Sequence, residues 1–159
     1  MPTKPAPTDP TPESILESFF ARFAAADQKL IHSIRSALRK RLPTANELAY
    51  DYTSHVVISY SPSERGIEGV VAFDARPGDM RLYFHKGPQM DDPKKLLQGS
   101  GKQTRFVTLA STSDLKQADI AAFFAAAIEL ADVPLPAKGK GRLVIQSDGT
   151  KKRARKPAK

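Results

Sequence analysis

A Pro-Gly corner between two short apolar runs constrains this chain more than any other feature. The runs Val70-Val71-Ala72-Phe73 and Arg81-Leu82-Tyr83-Phe84-His85 meet through Ala75-Arg76-Pro77-Gly78-Asp79. Pro77 fixes φ for the first corner of a turn, and Gly78 supplies the positive φ of a type II second corner. Two β-rich runs across such a turn predict a hairpin. Alternation then puts Leu82 and Phe84 on one face, and Arg81, Tyr83 and His85 on the other.

The apolar face of the hairpin must be covered, and the flanking sequence supplies helices. Thr11 is an N-cap, Pro12 fits the first helical position, and Glu13 lies where the helix dipole favours an anion. Ile15, Leu16, Phe19, Phe20 and Phe23 form an apolar stripe that runs through Ala24-Ala25-Ala26 to a break near Asp27. A second helix is expected from about Asp27 to Arg41, burying Leu30, Ile31, Ile34, Ala37 and Leu38 and leaving Lys29, Arg35, Arg39 and Lys40 outside. Pro43 stops it. Strands follow at Leu48–Tyr52 and His55–Tyr60, with Val56, Ile58 and Tyr60 on one face, and at Arg105–Leu109 after a long connection. Asp92-Pro93 predicts a single helical turn through Leu96-Leu97, ended by Gly99. A third helix is expected over about Lys116–Ala131 and, being apolar nearly all round from Ile120 to Ile128, should be the most buried. Phe19, Phe20, Phe23, Phe123 and Phe124 read as core. Leu143-Val144-Ile145 adds a short edge strand or a packed clip. The fold class is therefore α+β: an antiparallel sheet of about five strands with helices packed on one face.

Charge divides the chain. Residues 138–159 hold nine of the 25 Lys and Arg and one of the 17 acids, which leaves sixteen of each in residues 1–137. The net charge of +8 thus belongs to the C-terminal end, and the predicted folded body is neutral. The expected organisation is a Pro-rich disordered leader over residues 1–10, one domain over 11–147 and a disordered basic tail over 148–159. There is no cysteine, so disulfides, thiolate metal sites and thiol catalysis are excluded. No secretory signal and no run of about 20 apolar residues is present, which points to a cytoplasmic protein without a membrane span.

The blocks Leu48–Tyr52 (LAYDY), Leu82–Leu109 (LYFHKGPQMDDPKKLLQGSGKQTRFVTL) and Gly141–Ser147 (GRLVIQS) resemble the YdhG-like domain-of-unknown-function family of bacteria. The specific part is the Asp-Pro-x-x-Leu-Leu-x-Gly-x-Gly core at Asp92 to Gly101. The resemblance implies a compact sandwich similar to frataxins, and some relatives are regarded as iron chaperones. Frataxin-type iron sites are ridges of clustered carboxylates. Here the first helix offers Glu13 and Glu17 as a spaced pair.

The residues best placed to bind something are Tyr83, His85 and Lys86 at the end of the hairpin, with Gly99, Ser100, Gly101, Lys102 and Arg105 beyond the connection. Glycines let backbone N–H groups approach an anion, and Lys and Arg supply charge. The leading expectation is a non-enzymatic binding module for a small anionic ligand or partner. The second is weak, nonspecific nucleic-acid association through Lys151, Lys152, Arg153, Arg155 and Lys156, by counterion release. The third is frataxin-like iron binding. His32, His55 and His85 lack metal-ligand spacing, so no metal ligands are assigned, and no cofactor is expected. A triad of Ser100, His85 and Asp51 exists on paper, but Gly99-Ser100-Gly101 is not a nucleophile elbow. The same glycines do not form a P-loop, which needs Gly at Leu96 and Ser or Thr at Gln103. Catalysis is therefore not the leading expectation. Asp91-Asp92 offers a hard-cation site or, more simply, a capped turn. Tyr50-Asp51-Tyr52 offers either a pocket wall or packed aromatics with an exposed acid.

Overall fold

The computed structural model describes residues 11–147. Its elements are α1 (Pro12–Phe20), α2 (Ala25–Arg41), β1 (Asn46–Asp51), β2 (Val56–Ser61), β3 (Val71–Arg76), β4 (Asp79–Phe84), β5 (Arg105–Leu109), α3 (Ala118–Leu130) and β6 (Leu143–Ser147). The leader and the basic tail, with Lys151, Lys152, Arg153, Arg155 and Lys156, lie outside the described residues.

The Pro-Gly corner does what its residues dictate. Arg76 pairs with Asp79 and Val71 with Phe84, and Gly78 adopts φ +67°. Thr11 caps α1 by accepting a hydrogen bond from the Ser14 amide at 3.1 Å, with Pro12 opening the helix. The chain breaks after Phe20, earlier than the alanine run suggests, and α2 starts at Ala25.

The sheet has six strands in the order β5-β4-β3-β2-β1-β6. The first five form an antiparallel meander, as the alternation predicts. The sixth corrects the expectation of a purely antiparallel sheet, because β6 pairs parallel to β1. The cause is topological. The chain leaves β5 at one edge, crosses through α3 and enters at the other edge, running in the same direction as β1. Gly141 makes this entry possible: its amide donates to the Pro43 carbonyl at 2.9 Å, and a Cβ there would overlap the Ala45 carbonyl oxygen.

All three helices pack on one face. Leu16, Phe19, Phe20, Ile31, Ile34, Leu38, Phe123 and Phe124 form one cluster with Ile58, Tyr60, Phe73, Leu82, Phe84 and Val107 of the sheet. Each such side chain contributes roughly 1.5–3 kcal/mol by leaving water. α3 is less enclosed than its composition suggests. Ile120, Phe123, Phe124 and Ala127 are buried while Ile128 is 40% exposed, so the helix presents one stripe to the core. The opposite sheet face is partly covered by the β2–β3 connection, where Gly66 lies against the Tyr50 hydroxyl.

Between β4 and β5 the expected helical turn is absent. Asp92 instead accepts the amides of Leu96 and Leu97, both at 2.8 Å, and Lys95 closes the turn at φ +54°. Gln98 then pairs with Phe106 on the outer edge of β5.

Candidate functional site

The end of β4 opens into a cleft of about 390 Å³. Its walls come from the Ile67–Val70 stretch, His85 and Lys86 just past β4, Lys102 to Thr104 before β5, and Ala127, Ala131 and Asp132 at the end of α3. Three of the residues singled out in the sequence, His85, Lys86 and Lys102, therefore meet in one concavity. Five do not. Tyr83 packs on Phe106 with ring centroids 4.9 Å apart, and the Arg81 guanidinium lies 4.6 Å over the same ring. Gly99 sits against the Phe106 ring, Ser100 is exposed, and Gly101 turns back onto Thr104. Arg105 backs onto Gly87 and donates to the Thr104 carbonyl at 3.1 Å.

The charges in this cleft are partly committed. Lys86 Nζ donates to both oxygens of Asp132, at 3.1 and 3.2 Å. Glu68 accepts from the Ser63 hydroxyl at 2.6 Å and pairs with Arg65 at 3.3 Å. Lys102 is exposed and has no ion pair among the described residues. Burial, and then the neighbouring Lys86 charge, hold the His85 imidazole below its ordinary value of 6.5. At neutral pH it is an uncharged ring with one donor and one acceptor nitrogen.

The other sequence candidates are placed apart. His32 bonds Glu17 at 2.9 and 3.0 Å, and His55 stacks on Tyr52. Glu13 binds Arg35, so the two α1 carboxylates do not face each other over an open ion site. Among the described residues no group of three His, Cys, Asp or Glu is placed to hold a metal ion. Both Asp92 oxygens are taken by backbone amides. Of the two readings of Tyr50-Asp51-Tyr52, the exposed acid is corrected: Asp51 is buried on the helix side of β1 and accepts from Arg22 at 2.7 and 2.9 Å. Ser100 does not line the His85 cleft, so the paper triad does not assemble.

A second cleft, of about 560 Å³, went unseen in the sequence. It runs between α2, the start of β1 and the Gly139–Gly141 segment. At its floor Glu47, buried on the helix side of β1, accepts Arg35 Nε at 2.9 Å, Arg35 Nη2 at 2.7 Å and the Tyr60 hydroxyl at 2.8 Å. Arg35 was expected outside, yet it is only 7% exposed. Its Nη1 and Nη2 also donate to Glu13, at 3.0 and 2.7 Å. The Arg35 hydrogen bonds pull the Glu13 carboxyl below its ordinary value. Burial beside the Glu47 carboxylate raises the Tyr60 phenol well above its own. Burial disfavours the Arg35 charge, but the two carboxylates outweigh that and keep it protonated. The signal was present in the periodicity. Arg35 falls on the Ile31-Ile34-Leu38 stripe, and Glu47, Ala49 and Asp51 share the inward face of β1. A charge on an apolar stripe marks a buried partner.

No protein-family model, no curated protein and no solved structure matches the chain.

Proposed function

We propose that this chain is a binding module for a small anion, seated in the cleft at the end of β4. The observation that carries the reading is the convergence of His85, Lys86 and Lys102 on one concave surface. Lys102 is the uncommitted cation. Lys86 is the second, available once the anion takes the place of Asp132, and neutral His85 orients the ligand by a single hydrogen bond. We also propose that the chain is a YdhG-like domain with frataxin-like layering. Two features support this: three helices on one face of an open sheet, and the resembling blocks falling on β1, on β4 through β5, and on β6.

The test uses inorganic phosphate and pyrophosphate on the full chain, followed by thermal shift and by the His85 ring-proton resonances. Saturable stabilisation with a His85 shift is expected. Lys102→Ala should weaken it about tenfold, the size of one charged hydrogen bond of roughly 1.5 kcal/mol. Equal binding by wild type and Lys102→Ala would refute this placement.

A further inference from the structure

The larger cleft carries a different kind of site. We propose that the groove between α2 and the Gly139–Gly141 segment binds a small organic anion, with a phosphate or carboxylate at the rim and an apolar body against the wall. Its volume lies within the range of small-molecule pockets. Leu42, Pro43 and Ala45 form the apolar wall, and Arg39, Lys40 and Lys140 the cationic rim.

What makes the rim available is the saturation of its nearest carboxylates. Glu47 already holds Arg35 and Tyr60, and Glu13 already holds Arg35 through two hydrogen bonds. Arg39 lies 3.7 Å from Glu47 and 3.9 Å from Glu13, close enough to be attracted but making no hydrogen bond to either. It pairs with both and offsets the negative charge that two carboxylates on one Arg35 leave over, so Lys40 and Lys140 carry the uncommitted charge of the rim. Lys40 and Lys140 have no ion pair among the described residues. Arg39 and Lys40 stand on the last turn of α2, and Lys140 stands on the facing segment. That segment is anchored by the Gly141 amide on Pro43 and by the Arg142 amide on Asn46 at 3.1 Å. The carbonyl end of α2 is adverse to an anion by about half a charge. The two rim lysines outweigh it. Leu42 and Ala45 are already buried, so the apolar surface that an organic body would cover is that of exposed Pro43 and the aliphatic stems of the rim side chains, which adds affinity that charge alone does not supply.

The test compares phenyl phosphate, benzoate and inorganic phosphate by calorimetry on the full chain, with wild type, Lys40→Ala/Lys140→Ala and Lys102→Ala. Both lysines of the double variant are exposed, and its melting temperature is measured alongside to verify folding. Phenyl phosphate should bind wild type at least tenfold more tightly than inorganic phosphate at this site, and added salt should weaken it. Benzoate binding as tightly would mark the site as one for carboxylates, and weaker binding as one for phosphate monoesters. Either result supports the proposal. The double variant should lose at least tenfold for phenyl phosphate, while Lys102→Ala should lose nothing. As a second readout, phenyl phosphate should shift the amide resonances of Ala45 and Gly141. Undiminished binding by the double variant, or shifts confined to the His85 cleft, would overturn the proposal. The β4-end reading stands or falls separately, on Lys102→Ala with inorganic phosphate.

Discussion

The two clefts sit at opposite edges of the sheet and use their charges in opposite ways. At the β4–β5 side, cations and carboxylates meet at the surface: Lys86 is held by an Asp132 that is 79% exposed. At the β1–β6 side, the neutralisation is internal, with Glu47 only 4% exposed and fixed to Arg35 beneath the rim. Counting charged residues would rank the clefts as similar. Counting those still without a partner does not. Arg35 and Arg39 together offset Glu13 and Glu47 and leave two lysines, Lys40 and Lys140, without an ion pair among the described residues, whereas at the other cleft Asp132 takes Lys86 and leaves Lys102 alone.

The largest expected effect tests the internal pair. Arg35→Ala strands the Glu47 carboxylate in the core and should cost about 3–5 kcal/mol, as broken buried pairs do. Urea unfolding measures it. Glu47→Gln in the Arg35→Ala background should recover part of the loss, because a neutral amide is cheaper to bury than an unpaired carboxylate. If the two changes simply add, the pair is not coupled and the account of the second cleft fails.

Next comes the entry of β6. Gly141→Ala drives a methyl into the Ala45 carbonyl, so the segment must shift at a cost of roughly 1–3 kcal/mol. The shift moves Lys140, so phenyl phosphate binding should weaken while phosphate at the β4-end cleft stays as in wild type. Parallel losses at both clefts would show that the substitution loosens the whole fold.

A smaller change sharpens the comparison from the other side. Asp132→Asn removes a surface partner and should alter stability by less than about 1 kcal/mol. It also frees Lys86. Asp132 is exposed enough for water-like screening, where a unit charge a few ångströms from the ligand is worth about 1 kcal/mol, so phosphate affinity at the β4-end cleft should rise about fivefold. No gain would mean that Asp132 does not compete with the ligand.

These residues also show how far the sequence could be read. The hairpin, the inward face of Leu82 and Phe84, the Thr11 cap and the phenylalanine core follow from local rules, because period and turn chemistry act over a few residues. The direction of β6 was not legible. Leu143 to Ser147 reads equally as a parallel or an antiparallel edge, and only the crossover through α3 decides. Three of the eight residues singled out for anion binding share the β4-end cleft: His85 and Lys86 are fixed by the end of β4 and Lys102 joins them, whereas Gly99 and Arg105 depend on how a long connection folds against Phe106. Residue type alone puts Arg35 in solvent, whereas its position on the Ile31-Ile34-Leu38 stripe of α2 puts it inside. The exposed-acid reading of Asp51 fails for the same reason on β1, where Glu47, Ala49 and Asp51 share the inward face.

The last prediction separates the clefts by pH, and its effects are the smallest. The folded value of His85 is depressed below 6.5, so the unfolded chain takes up its proton first as pH falls. The stability that neutral His85 contributes is full above pH 6.5 and is lost on acidification from there through the lower folded value. Glu13 is depressed below 4.5, and its contribution is full above that pH and lost as pH falls through its own lower folded value. The β4-end cleft should therefore weaken the fold at mildly acid pH, and the Glu13–Arg35 contact only in stronger acid. Melting temperatures of wild type, His85→Gln and Glu13→Gln from pH 7.5 to pH 3.5 test this. His85→Gln should flatten the upper part of the curve and leave the lower part alone. Glu13→Gln should do the reverse, with a modest effect because its side chain is 53% exposed and screened. If both variants flatten the same interval, the two clefts are not electrostatically independent, and the contrast between surface and internal pairing fails.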